Sequence, residues 1–360
     1  MLERSRVEQL RGLMADSSVD SLLVTDLSNV FYLTGFTGSA ASVVVTQGGL
    51  YLLVDPRYTM QARAECASSS VIEYSGVPTS AAIADLLNDL NPKRLGFEAD
   101  QMSVSVYRAI RSASKSSISF RTTRGLVERL RRVKYPGEIA IIQKACEIAD
   151  DTFSALLEEI SIGMTEKEVA LLVDTTLRRL GADKESFDTI AASGPRAASP
   201  HASPTDSVLE PGAMLKLDFG ARYRRYNSDI TRTVCLGAPD KKQQQIYEIV
   251  LEAQIKAIEA IAPGKPGWEI DATARDHIAS EGYGDNFGHG LGHALGILVH
   301  DGPALSQTSD VVLESGMVVT VEPGIYIEGW GGVRIEDDVL VTDSGPKILT
   351  SATKELLSIG

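Results

Sequence analysis

The chain is predicted to be an α/β protein in two domains, residues 1–125 and 126–360. The second (α+β in character) should hold a curved antiparallel sheet with helices on its outer side. Three observations point there. At 360 residues the chain is long enough for two separate cores. Short strands and helices alternate up to about Arg124. Beyond that point a hairpin bearing two acids occurs twice, each time after a pair of helices, which implies a repeat about a pseudo-twofold axis.

Residues 1–18 place Val7, Leu10, Leu13 and Met14 at helical spacing. Apolar runs at Ser21–Thr25, Val30–Thr34, Ser42–Thr46 and Leu50–Val54, broken by Gly and Asn turns, read as strands. Helical patterns at Pro56–Ala64, Ala81–Leu90 and Val104–Ser112 alternate with strands at Val71–Tyr74, Arg94–Phe97 and Ser117–Arg121. No phosphate-cradling glycine loop and no paired acids or histidines occur in this part, so it reads as a scaffold. Arg131–Pro136 is the join, and Pro136 suits the first turn of a helix over Gly137–Ile160. Thr165-Glu166-Lys167-Glu168 is a capping box for a helix to about Leu180, stopped by Gly181. A strand at Phe187–Ser193 and a loop through Gly194, Pro195, Pro200 and His201 lead into the first hairpin. Helices at Lys241–Ile261 and Trp268–Ser280 precede the second.

The first hairpin, Leu215–Thr233, has its polar tip at Tyr223 and Arg224, which would set Asp218 directly opposite Asp229. Opposed side chains on one face lie about 5 Å apart, and like charges so placed destabilise a sheet. A chain that keeps two carboxylates there is expected to hold a cation between them. The second, Gly316–Asp338, has a glycine-rich tip at Gly329–Gly332 and sets Glu322 opposite Glu336. Both open alike: Leu209-Glu210-Pro211-Gly212 precedes Asp218 as Leu313-Glu314-Ser315-Gly316 precedes Glu322.

Three of the five histidines lie in Gly288–His300, where repeated glycines make a helix unfavourable and allow close backbone approach. His277, on its helix, reads as a hydrogen-bonded core residue. Four carboxylates with at least one imidazole and no thiolate form an oxygen-rich set suited to manganese, with cobalt or zinc as alternatives. Four acids exceed the need of one divalent ion, so two ions roughly 3.5 Å apart are expected, polarising a carbonyl and acidifying a shared water. Hydrolysis is the reaction class this implies.

A net charge of −13 argues against nucleic acid or an anionic membrane as partner. No apolar run approaches the ~18 residues of a spanning helix, and the N-terminus is charged rather than signal-like. Cys66, Cys146 and Cys235 show no disulfide or metal spacing, so a cytoplasmic location is expected.

With LDFGARYRRYNSDITRT, GHGLGHALGILVHD, TVEPGIYI and GGVRIEDD in view, the chain resembles the M24-type "pita-bread" metallopeptidases, specifically the aminopeptidase P and prolidase group. Val19–Ser39 resembles the opening of the creatinase-like N-terminal domain of that group. The resemblance covers nearly the whole chain and implies a pita-bread fold for its second domain. It makes Asp218, Asp229, His293, Glu322 and Glu336 the ligands of two divalent ions, with Asp229 and Glu336 shared. It casts His201, His289 and His300 as second-layer or substrate-contacting residues, Glu322 as general base and Arg334 as an orienting partner of the acids. It also implies a homodimer, and short peptides with proline at the second position as substrates. Removal of the residue before proline, as in aminopeptidase P, is the first expectation; a prolidase confined to Xaa-Pro dipeptides is the alternative. Creatinase and methionine aminopeptidase fit less well, the first by ligand set and the second because it generally lacks the N-terminal domain. A non-catalytic peptide-binding module on the same fold would bind metal weakly.

Overall fold

The computed structural model describes residues 2–359 and divides after Arg131 into two compact units. The boundary expected at residue 125 falls just before a helix, Leu126–Arg132, that belongs with the first unit. Its Leu126 and Val127 are buried, and Arg131 donates to the side-chain oxygen of Asn29 at 2.7 Å. Among the described residues no helix is long and apolar enough to cross a membrane.

The first unit runs α1 (Leu2–Asp16), β1 (Ser21–Val24), α2 (Leu27–Thr34), β2 (Ser42–Thr46), β3 (Leu50–Val54), α3 (Thr59–Glu65), β4 (Ser70–Glu73), α4 (Thr79–Leu90), β5 (Arg94–Glu98), α5 (Val104–Ala113), β6 (Ser119–Thr123) and α6 (Leu126–Arg132). The strands form one mixed sheet in the order β4-β3-β2-β1-β5-β6. Leu23, Val44, Leu53, Ile83, Leu87 and Leu95 pack its core. One expectation fails here: Val30–Thr34 is not a strand but the end of α2. A five-residue apolar run is ambiguous in period, and the ends decide it. Asp26 caps the helix by accepting from the Asn29 amide at 2.9 Å, and Gly35 closes it with φ 79°.

The second unit begins with α7 (Pro136–Glu159) and α8 (Glu166–Arg179). The Thr165 capping box forms as expected, the Glu168 carboxylate accepting from the Thr165 amide at 2.7 Å. Then come β7 (Lys184–Glu185), β8 (Ile190–Ser193), a short 3₁₀ turn (Gly194–Ala198), β9 (Met214–Phe219), β10 (Ala221–Tyr223), β11 (Tyr226–Asn227) and β12 (Ile230–Leu236). The second half has α9 (Lys241–Ala260), α10 (Gly267–Ser280), β13 (Gly292–His293), β14 (Ala304–Leu305), β15 (Val318–Val321), β16 (Gly324–Ile327), β17 (Gly331–Arg334), β18 (Asp337–Thr342), β19 (Gly345–Ile348) and β20 (Ser358–Ile359).

The repeat is visible in the backbone bonds. The Leu209 amide donates to the Met164 carbonyl as the Leu313 amide donates to that of Lys265, and Gly163 and Gly264 return the bond to Leu209 and Leu313. Gly212 and Gly316, which open the hairpins, have φ 80° and 93°. Each half also has its own core. Val169, Val173, Leu177, Leu215, Leu217 and Phe219 lie in one, and Ile246, Val250, Ile270, Val319, Ile325 and Val333 in the other.

The hairpin registers differ. In the second, Val321 pairs with Asp337 and Gly324 with Arg334, so Glu322 and Glu336 face each other as expected. In the first, Asp218 pairs with Thr231, not Asp229. The tip is centred on Arg224 and Arg225, one position later than expected, because both adopt positive φ (47° and 71°) in a two-residue turn. Moving the centre by one residue moves the pairing by two. That step keeps Asp218 and Asp229 on one face but makes them diagonal neighbours.

Candidate metal centre

The acids converge because the two hairpins are bonded to each other. The Thr231 hydroxyl donates to Glu336 Oε2 at 2.7 Å, and the Thr233 hydroxyl donates to the Arg334 carbonyl at 3.0 Å. The Asp229 amide donates to Asp338 Oδ2 at 2.9 Å, and the Glu336 amide to the Thr231 carbonyl at 3.1 Å. The histidine tract then lies against β15. The Glu322 amide bonds to the Leu291 carbonyl at 2.8 Å, and a Cβ at Gly292 would sit 2.1 Å from the Thr320 carbonyl oxygen. Only glycine permits that approach, which brings His293 to the acids.

A cavity of about 420 Å³ is lined by all four acids together with His201, His293, His300 and Arg334. His293 Nε2 lies 3.6 Å from Asp229 Oδ2 and 3.5 Å from Glu322 Oε1. Ligand atoms of Asp229, His293 and Glu336 all fall within 4.8 Å of one another. Arg334 bonds to one oxygen of Asp218 and has its Nε 3.9 Å from Glu322. His300 packs edge-on against the His293 ring at 4.2 Å, and His201 is exposed at the cavity wall. His289 stands farther back, with Nε2 2.8 Å from the Tyr326 hydroxyl and Nδ1 2.7 Å from the Gly290 carbonyl. A carbonyl only accepts, so Nδ1 carries the proton and Nε2 accepts from Tyr326. That hydroxyl in turn accepts from Arg334 at 2.7 Å, which ties His289 to Asp218 through two side chains. His277 is apart from all of these: it is half-buried on α10 rather than in the core, with Nδ1 2.9 Å from the Lys256 amine.

The electrostatics are those of a site built for cations. Burial, then the charges of Glu336 and Asp218, push Asp229 well above the ordinary carboxylate range. Burial, then Glu322 and Asp218, do the same to Glu336. Glu322 is raised to about 7 by burial, against the pull of Arg334. Burial and the neighbouring His300 lower His293 to about 4, so its imidazole is neutral, the form that binds metal. Its Nδ1 lies 3.3 Å from the Ala294 carbonyl, which leaves Nε2 toward the acids. Asp218 Oδ1 is buried with no hydrogen-bond partner among the described residues. Divalent ions would satisfy that oxygen and replace the protons the crowded carboxylates otherwise need, so the residues fit such a group.

Sequence reasoning missed Thr231, Tyr326, Asp338 and Lys216. Thr231, Asp338 and Lys216 each stand two positions from a candidate acid, hence on the same strand face. Burial pushes Asp338 to about 8, and Cys146 donates to it at 3.3 Å. For Lys216, burial and the nearby Arg334 pull the amine down to about 6. Against that pull, its three carbonyl partners match three donors that only the ammonium has, and they hold the proton on.

Residues 140–343 match the model of metallopeptidase family M24, and residues 6–133 match the creatinase/prolidase N-terminal domain. The chain is 41% identical to an Xaa-Pro dipeptidase of Pyrococcus furiosus, over 98% of this chain and 100% of that one. Its fold matches the Xaa-Pro dipeptidase of Bacillus anthracis with TM-score 0.96 and 41% identity, covering 99% and 100% of the two chains. It also matches an X-Pro aminopeptidase of Thermotoga maritima with TM-score 0.90 and 39% identity, covering 95% and 98%. The protein therefore belongs to metallopeptidase family M24, as a pita-bread catalytic domain preceded by a creatinase/prolidase N-terminal domain.

Proposed function

We propose that the protein is an Xaa-Pro dipeptidase that uses two divalent ions held by Asp218, Asp229, His293, Glu322 and Glu336. The observation that carries the reading is the cavity itself: the acids line the same space as Phe187, Ile190, Ala202, Pro204 and Val299. Those apolar side chains suit a proline ring placed beside the reacting carbonyl. Full-length similarity to proteins named Xaa-Pro dipeptidase supports the dipeptidase reading over the aminopeptidase P activity expected first from the sequence. The similarity to the Thermotoga maritima X-Pro aminopeptidase keeps release of a single residue from longer peptides as the second reading.

When bound, the ions would supply Lewis-acid charge at the substrate carbonyl and acidify the attacking water. Manganese is the first candidate, with cobalt and zinc next. Glu322 takes the proton of that water as general base. His300 and His201, at the mouth of the cavity, donate to the oxygen on which charge develops. Arg334 keeps Asp218 and Glu322 oriented, and His289 holds Arg334 through Tyr326. The X-Pro bond has no N–H to grip, so recognition falls to the ring's apolar surface.

The test compares turnover of Ala-Pro with that of Ala-Pro-Ala after loading with Mn²⁺, Co²⁺ or Zn²⁺ in turn. Hydrolysis of the dipeptide alone supports the first reading. Turnover of the tripeptide with none of the dipeptide replaces it with the second, and no turnover of either rejects both.

A further inference from the structure

Lys216 is fully buried, two residues before Asp218 on β9, and nothing in the proposed chemistry uses it. Its Nζ donates to the carbonyls of Ala197 at 3.2 Å, Ser199 at 2.7 Å and Pro200 at 3.2 Å, and lies 5.1 Å from the centre of the Tyr326 ring. These carbonyls belong to the end of the Gly194–Ala198 turn and the residues after it. A further 3₁₀ bond to Ala197 would have to come from residue 200, and Pro200 has no N–H. Lys216 supplies the missing donor from below. The Pro200 carbonyl also accepts from Arg334 at 3.3 Å, so two cations grip the peptide group that leads into His201.

The flanks of this loop are held by a different residue. The buried Glu166 accepts from the Ser193 amide at 2.9 Å, from Arg196 at 2.9 Å and from the Thr205 amide at 3.0 Å. Glu166 therefore fixes both ends, and Lys216 with Arg334 fixes the middle, where His201 enters the cavity wall.

We propose that Lys216 is a positioning residue for the reaction: its three bonds to the Ala197–Pro200 backbone hold His201 at the cavity, so that it acts through His201 and not on substrate. This rests on the reading above in that His201 meets the substrate.

The test uses the full-length protein with Lys216→Met, His201→Ala and the double variant. Lys216→Met keeps the length of the side chain and removes its donors. The expected result is a loss in kcat/KM of about 10- to 100-fold for Lys216→Met, with a double variant no slower than His201→Ala alone. Losses that multiply in the double variant would show that Lys216 acts independently of His201 and overturn the proposal. In the metal-free protein, Lys216→Met should speed hydrogen exchange at the Ser199 amide, which donates to the Arg196 carbonyl at 3.0 Å, by roughly tenfold or more, with β8 and β9 unchanged. Unchanged exchange in the loop would equally overturn it. Should Lys216→Met fail to fold, Lys216→Gln, which keeps one donor site, undergoes the same measurements with smaller expected changes. If the wild type cleaves no Xaa-Pro peptide, the functional reading fails while the exchange experiment still decides the role of Lys216.

Discussion

The two acid-bearing hairpins occupy equivalent places in the repeat, yet they are built differently. The second turns through Gly329 at φ 75° and Gly331 at φ 149°, and its acids stand directly opposite each other. The first turns through Arg224 and Arg225 at positive φ, and its acids are offset by two positions. Their hydrogen-bond partners differ as well. Asp218 is bonded to Arg334 and Asp229 borrows structure from Asp338, whereas Glu336 leans on Thr231 and Glu322 on Thr320 at 3.2 Å. The lesson is that side-chain face, not direct opposition, is what a carboxylate cage needs: an even shift of register keeps the two acids of a hairpin on one face, and an odd one would put them on opposite faces.

The largest effect should come from breaking the cage at a carboxylate the two hairpins contribute equivalently. Asp229→Asn and Glu336→Gln should each lower kcat/KM on the order of 10³-fold and reduce bound metal, read by elemental analysis. Near-normal metal content and activity in either variant would reject that residue as a ligand. Thr231→Val, which removes the hydroxyl between Glu336 and Arg334, should weaken metal binding about 10- to 100-fold with the fold intact. Titration of metal-free protein with Mn²⁺ checks it, and unaltered affinity would mean the cross-bond is dispensable.

Protonation sharpens the comparison next. Glu322 is raised to about 7 in the folded protein and Asp338 to about 8, both above their unfolded values. Each therefore stabilises the metal-free fold most at low pH, and that contribution is lost as pH rises through the folded value. Near pH 6.5, the ordinary histidine value, His289 and His293 (both lowered to about 4 in the folded protein) still take up protons on unfolding and offset part of this slope, and they add little only from about pH 7.5 upward. The thermal midpoint of metal-free protein should thus fall from about pH 7.5 to about pH 8.5, and more steeply than with metal, because the proposed cations would take the place of the proton on Glu322. Parallel curves with and without metal would contradict this.

The turns give the smallest effects, with opposite signs. Arg225→Gly relieves a positive φ at a non-glycine residue and should stabilise by up to about 1 kcal/mol. Gly329→Ala introduces the same strain with open space around its Cβ, and should destabilise by about 1 kcal/mol. Urea midpoints measure both, and equal signs would show that the turns do not set the difference between the hairpins.

Much of this architecture is legible in the amino-acid sequence. Hairpins and helices follow from local periodicity, and the glycine tract declares a close approach that Gly292 makes against Thr320. The exceptions share a cause. Val30–Thr34 is helical because Asp26 and Gly35 cap a run too short to show its period. The first register moves by two because two arginines accept a turn conformation usually left to glycine or asparagine. Spacing alone does not choose among the histidines; the resemblance selects His293, and packing against β15 sets it beside the acids while His289 is drawn to Tyr326.

What the sequence by itself determined is therefore the set of faces: which residues recur at period two, which acids share a side, and which segments repeat. Those properties depend on neighbours along the chain. Tertiary structure alone decided which distant groups meet. It set Asp338 under Asp229, Thr231 against Glu336 and Lys216 beneath the loop of His201. The first two contacts join the two halves of the repeat, and only the packing of the half-cores brings them within hydrogen-bonding reach; the third lies within the first half, where β9 packs beside the turn that follows β8.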